Sequence, residues 1–334
     1  MSSEISDKEK DRFTSLANAA IANYAVEVTS ISFLSKSDGV LFCIETIDPK
    51  SKYVLRIHND VGEYRSSIYH QNDIIESYLL WLYALDRDTD ITVQKPVKNR
   101  ANHWVTEIPS DRSNESIKCT LLKWIESDII SPHTEATVSQ VGRLMAKMHN
   151  HASAWDKPDS FVRPLYDTNR FRQGLSELSI RAPEILFTGN VEHVLNEVVD
   201  RLHLLLDELG REKKYWGPIH GDLGWEGNVV FCQDKACPID FNGCSIGHYL
   251  CDIAWAFCYI SASLRPSFLL SYQQERALTD KSKRVIEIFG VGIGILLLAG
   301  WSKNNPKQLE RLPAFVEGPC KAYLNDDLCI SKPW

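Results

Sequence analysis

The chain has 334 residues, 44% of them hydrophobic and 24% charged, with a formal net charge of -7. That is enough apolar material for one large domain or two ordinary ones, and it excludes a disordered tail, a collagen-like repeat and a small disulfide-stapled scaffold. The acidic balance also runs against general nucleic-acid binding, which gathers Lys and Arg onto phosphates.

The start, Met1 to Lys10, is charged and polar, without the cationic and apolar regions of a secretory leader. The nine cysteines are odd in number and scattered, which points to reduced thiols in a cytoplasmic protein. Val28 to Leu34 and Val40 to Ile47 are rich in β-branched and aromatic residues and predict two strands. Ser35-Lys36-Ser37-Asp38-Gly39 between them is turn material. A third strand is expected over Tyr53 to His58. Ile74, Tyr78, Leu82 and Leu85 then mark a helix. Val93 to Val97 and His103 to Ile108 read as further strands, and Cys119 to Ile125 as a buried one. Up to residue 125, therefore, strands surround one helix; beyond it helical patterns dominate.

Ser131-Pro132 has the cap-then-proline form of a helix start, followed by the apolar positions Val138, Val141, Leu144, Met145 and Met148. Another helix is expected from Val191 to Leu209. The longest uncharged apolar run, Ile288 to Trp301, is shorter than the roughly 20 residues of a membrane span; a buried core helix and no membrane partner are expected. Cys237, Cys244, Cys251 and Cys258 recur at a regular interval, but no Cys-x-x-Cys pair supports a metal cluster. His149 and His151 are two apart and cannot share one helical face as a ligand pair.

The chemistry concentrates between residues 219 and 252. Ile219-His220-Gly221-Asp222-Leu223-Gly224-Trp225-Glu226-Gly227-Asn228 is followed by Pro238-Ile239-Asp240-Phe241. A hairpin turning at Gln233-Asp234-Lys235 would bring Asn228 near Asp240. A carboxylate with an amide oxygen is a hard-oxygen set suited to Mg2+, which keeps phosphate and water as its other ligands. Asp222 would then stand beside the metal as a candidate base.

These residues resemble the catalytic and metal-binding loops of the protein-kinase-like phosphotransferases, and most closely the aminoglycoside phosphotransferase and choline/homoserine kinase branch. That branch shows H-G-D-x-x-x-x-N, then I-D-F-D-D-C-G-F-G and a Y-D-L-A-like helix start. Here the chain reads Ile239-Asp240-Phe241-Asn242-Gly243-Cys244-Ser245-Ile246-Gly247, then Tyr249-Leu250-Cys251-Asp252-Ile253-Ala254. Tyr53 to His58 looks like the third small-lobe strand, Leu121 to Asp128 like the hinge, Gly142 to His149 like the first long large-lobe helix and Ser271 to Gln274 like a later helix.

The resemblance implies an α+β, bilobal protein-kinase-like fold: an antiparallel-sheet N-lobe with one helix over residues 1–125, and a larger, mainly helical C-lobe over 126–334. It implies an ATP-dependent kinase, with GTP as the alternative nucleotide, acting with Mg2+ on the hydroxyl of a small molecule of the aminoglycoside, amino-alcohol, homoserine or sugar class. Asp222 would be the catalytic base. Asn228 and Asp240 would hold the metal, and Arg56, fixed by Glu76, would neutralise phosphate charge. Trp124 and Ile125 would line the adenine site. His220 and Asp252 are read as braces of the loops.

Three departures from the family pattern stand out. Asn228 lies six residues after Asp222 where the family has five, Arg56 replaces the usual Lys, and the phosphate-covering turn has a single glycine, Gly39. The shifted Asn228 and Arg56 motivate a nucleotide-binding pseudokinase scaffold as one alternative; a bacterial stress-type Ser/Thr protein kinase is the other. Asn242 replaces an acid usual in the motif, which weighs against a strongly cationic substrate. The acceptor's identity and the oligomeric state are not encoded in any motif here.

Overall fold

Alternating apolar residues build the sheet of the first unit. In the computed structural model, which describes residues 6–36, 39–47, 51–58, 67–110, 112, 114–127 and 133–327 apart from the side chains of Ser67, Ile68, Trp225 and Glu226, the contacts divide the chain in two. One unit is Met1–Glu126 with Lys157–Val162; the other is Ser127–Asp156 with Arg163–Trp334.

The first unit carries β1 (Val28–Lys36), β2 (Val40–Thr46), β3 (Lys52–Ile57), β4 (Pro96–Val97), β5 (Val105–Pro109) and β6 (Ser116–Lys123). They form one antiparallel sheet in the order β1-β2-β3-β6-β4, with β5 also paired to β6. Alternation along β2 buries Val40, Phe42 and Ile44 completely, each adding about 1.5–3 kcal/mol. Several expected strands are trimmed, two of them most clearly. Only Pro96–Val97 of the 93–97 stretch pairs, and β6 ends at Lys123 rather than running to Ile125. Ser37 and Asp38 of the β1–β2 turn lie outside the described residues.

Among the described residues two α-helices pack in this unit, not one. α1 (Asp7–Ile21) is capped by Ser6, whose hydroxyl accepts from the Glu9 amide. Its stripe of Phe13, Leu16, Ala17, Ala20 and Ile21 is buried with the sheet core. The small alanines made that stripe easy to overlook in an otherwise charged segment. α2 (Asn72–Asp88) buries Ile75, Tyr78, Leu79, Trp81, Leu82 and Leu85.

The second unit is mainly helical. Its elements are α3 (Glu135–Ala154), β7 (Leu165–Tyr166), α4 (Thr168–Arg181), α5 (Gly189–Leu209), β8 (Trp216–Ile219), α6 (Trp225–Asn228), β9 (Val229–Cys232), β10 (Lys235–Pro238), β11 (Ser245–His248), α7 (Tyr249–Phe257), α8 (Arg265–Glu275) and α9 (Asp280–Asn304). The cap of α3 is Thr134, in a reciprocal pair of bonds with Thr137, and not Ser131; Ser131-Pro132 lie outside the described residues. α9 is long and apolar enough to cross a membrane, yet 78% of its most apolar window is buried in the protein. It packs on α4, α5 and α7 and is a core helix.

Candidate active site

β8 delivers the chain into His220-Gly221-Asp222. Gly221 has φ 73, and a methyl placed on it would sit 3.0 Å from the Gly243 carbonyl oxygen, so the turn requires glycine. The loop backbone is held by Asp252, which is fully buried in the first turn of α7. Its two carboxylate oxygens accept from the amides of His220 and Gly221, each at 2.7 Å. One also contacts His149 Nε2 at 3.2 Å. Burial holds the His149 pKa below its usual value, with Asp252 opposing, which favours the neutral ring. Its Nε2–H donates to Asp252, while Nδ1 accepts from the Tyr272 hydroxyl at 2.8 Å. The ring stacks on Tyr249 at 4.8 Å.

His220 pins the second loop to the first. Its Nε2 lies 3.0 Å from the Ile239 carbonyl, to which it donates, and its ring meets Phe241 edge-on at 4.7 Å.

The expected hairpin forms. β9 and β10 pair from Val229↔Pro238 to Cys232↔Lys235. The turn is Gln233-Asp234, both at positive φ (50 and 60), as a two-residue turn of this hand requires. Beyond the last pair, the Ile239 amide donates to the Asn228 carbonyl at 3.0 Å. Asn228 thus stands across from the residue preceding Asp240. Between Asp222 and Asn228 the chain makes the single turn of α6, with Gly227 at φ 99, a region that suits glycine.

Asn228 Nδ2 donates to the Asp222 carbonyl at 2.5 Å, which fixes the amide orientation and leaves Oδ1 as an oxygen donor. Asp240 is half-buried in the left-handed region at φ 59, ψ 59, at a cost of about 1–3 kcal/mol that the surrounding bonds must hold. Arg163 supplies two of those bonds, donating to the Asn242 and Cys244 carbonyls at 2.6 Å each. Asn228 and Asp240 offer hard oxygens of the kind Mg2+ prefers. Among the described residues no group of three or more His, Cys, Asp or Glu could hold a metal, so such an ion would take its other ligands from phosphate and water.

In the first unit Arg56 is buried on β3, opposite Leu41 and Thr120. Gly39 lies against it: a methyl there would come within 3.6 Å of the Arg56 side chain and 2.8 Å of the Ile57 carbonyl oxygen. Glu76 is exposed on α2, and among the described residues no ion pair joins it to Arg56. α2 reaches the sheet through Asn72, which donates to Glu107 at 2.9 Å, and through Tyr78, whose hydroxyl lies 3.1 Å from Thr120 Oγ1; His58 Nε2 meets the same oxygen at 3.0 Å. Trp124 and Ile125 are half-buried, and the Trp124 amide donates to the Lys52 carbonyl at 2.9 Å. Asp128 of the expected hinge lies outside the described residues.

The Phosphotransferase enzyme family profile, APH, matches residues 42–284. The chain belongs to that family. Comparison with curated proteins finds no match. Among solved structures this phosphotransferase is similar to a microcompartment-associated aminopropanol kinase (24% identity, TM-score 0.77, covering 95% of this chain and 99% of that one). It is also similar to amicoumacin kinase in complex with AMP-PNP, Ca2+ and Ami (18%, 0.76, 95% and 96%), and to choline kinase from Cryptosporidium parvum Iowa II (13%, 0.61, 94% and 94%). At these identities the likeness is one of fold.

Within the second unit of this phosphotransferase, backbone and side-chain hydrogen bonds therefore draw together the loops that carry Asp222, Asn228 and Asp240. Tyr272 and Arg163 were not marked as supports by sequence reasoning. Tyr272 lies 123 positions from His149, and Arg163 79 from Asn242. A cationic residue ahead of a short strand carries no local sign of such a role. Near the end of the described residues, Arg284 donates to the Asp326 carboxylate at 2.6 Å.

Proposed function

We propose that this phosphotransferase moves the γ-phosphate of ATP to a hydroxyl of a small molecule, with Mg2+ as the cation. Asp222 orients the acceptor hydroxyl and takes its proton. Asn228 Oδ1 and the Asp240 carboxylate hold the Mg2+, which when bound offsets phosphate charge. Arg56 faces the nucleotide phosphates, and Trp124 and Ile125 the adenine. Chemistry of this kind needs little beyond positioning and fixed charge. The observation that carries the reading is the tying together of the Asp222, Asn228 and Asp240 loops through Asp252, His220 and the Ile239–Asn228 bond. Amino alcohols are the favoured acceptors within the class, supported by the likeness to the aminopropanol kinase. The free cysteines, many of them buried, support a reducing, cytoplasmic setting.

The test is an ATP and GTP titration with and without Mg2+, then nucleotide turnover across a panel of hydroxyl compounds. Asp222→Asn is expected to lower turnover by about 10²–10⁴-fold with ATP affinity kept, and Asp240→Asn to collapse turnover by weakening the hold on Mg2+. Turnover indifferent to Asp222→Asn refutes the base. Asn228→Ala with unchanged rate and Mg2+ dependence removes Asn228 from the metal set. Nucleotide binding without any turnover would indicate a scaffold.

A further inference from the structure

Two buried polar side chains beside the Asp222 loop have no hydrogen-bond partner among the described residues. Asn242 is 3% exposed, and neither its Nδ2 nor its Oδ1 is bonded; Trp255 is 6% exposed, and its Nε1 is likewise unbonded. The Asn242 amide does not shape its turn, because the turn is held instead by Arg163 gripping the main-chain carbonyls of Asn242 and Cys244. Burying such groups unpaired is costly, and where it persists it signals a role outside the fold's own bonding.

Neighbours of both groups touch the same stretch of chain. The carbonyl of Gly243, next to Asn242, lies against Gly221, the residue before Asp222. The Tyr166 ring also approaches Gly221, at 3.6 Å from a methyl placed there, and stands edge-on to Trp255 at 6.3 Å between centroids. Just beyond α7, Tyr259 packs on Gly224 so closely that a methyl on that glycine would overlap its ring.

We propose that Asn242 and Trp255 recognise the acceptor, the Asn242 amide both donating to and accepting from its polar groups and the Trp255 indole N–H donating to one of its oxygens. Two donor groups and one neutral acceptor select an uncharged, oxygen-bearing end and disfavour a second ammonium there. An acid at position 242 would select the reverse. The inference rests on the phosphotransfer proposed above and adds the side of the substrate remote from the reacting hydroxyl.

Three acceptors sharing a 2-hydroxyl test it: 1-amino-2-propanol, 3-amino-1,2-propanediol and 1,3-diamino-2-propanol, which carry hydrogen, hydroxyl or ammonium on the third carbon. The wild type is expected to prefer the diol to the diamine in kcat/KM, and Asn242→Asp to shift that ratio toward the diamine by about 10-fold or more. Asn242→Leu and Trp255→Phe should each raise the acceptor KM by about 10-fold while the KM for ATP stays put. Asn242→Leu should also unfold at the wild-type temperature or above, since the amide has no partner to lose. Unchanged acceptor KM in both variants overturns the proposal, as does an Asn242→Leu midpoint lowered by more than about 4 °C, which would reveal a structural amide. If the wild type turns over none of the three, the parent reading fails for this class and the unfolding midpoint decides alone: a drop overturns the inference, and an equal or higher value supports it.

Discussion

The segment from Ile219 to Asp252 and the strand-and-helix pair carrying Arg56 and Glu76 hold their polar groups in different ways. In the first, a buried carboxylate serves two backbone amides, a histidine serves that carboxylate, and a second histidine ties one loop to the next. In the second, the sheet places Arg56 by register, but Glu76 stays exposed and the helix contacts the sheet through Asn72 and Tyr78. Loops have no ladder to fix them and need dedicated side chains, whereas a strand is fixed by its neighbours and leaves the charges free of that task.

The contrast can be broken most forcefully at Asp252. Asp252→Ala leaves two buried amides and a histidine without their acceptor, and should cost about 3 kcal/mol or more in urea unfolding, with activity falling to a few per cent or less. A loss below about 1 kcal/mol would mean the loops are held by something else.

Acid should weaken the second unit next. Burial pushes the His248 pKa down to about 4 and holds His149 below its usual value. Between the folded and unfolded values the unfolded chain binds the extra protons. The stability from these neutral rings is therefore whole above about pH 6.5 and declines as the pH falls toward 4. The slope is about 1.4 kcal/mol per pH unit for each histidine. His248→Asn, which keeps an acceptor for the Leu250 amide, should flatten the unfolding-midpoint profile over that range; an unchanged profile would clear His248 of the effect.

Gly227→Val forces a β-branched residue to φ 99. It is expected to cost about 1–3 kcal/mol and to raise the Mg2+ concentration needed for half-maximal rate by moving Asn228. A Val variant with native Mg2+ dependence would show that this turn does not position Asn228. The smallest effect is expected from Glu76→Gln, less than about 5-fold in kcat/KM for ATP, in line with an exposed charge. A larger loss would show that the Arg56–Glu76 pair assembles with nucleotide, and would erase the difference between the two regions.

Much of the candidate site could be read from neighbouring residues. The hairpin was visible because turn chemistry is local: Gln233-Asp234 sits between two short apolar runs and reverses the chain at positive φ. From that hairpin follows the approach of Asn228 to Asp240, and the motif around them named the family that the profile match establishes. α1 was missed because its buried stripe is partly alanine, and the α3 start was misplaced because a cap is decided by which hydroxyl reaches the third amide.

By itself, then, the sequence determined the family, the strand-rich first part and helical second part, and the identity of the loops with chemistry in them, because each rests on spacings of a few residues that constrain the backbone directly. Only the tertiary structure decided what those loops lean on. Asp252 beneath Gly221, His149 between Asp252 and Tyr272, Arg163 under Asn242, and the exposure of Glu76 away from Arg56 all depend on which helices and strands pack together. Such contacts join residues tens of positions apart, and no local pattern encodes the packing that brings them within hydrogen-bond reach.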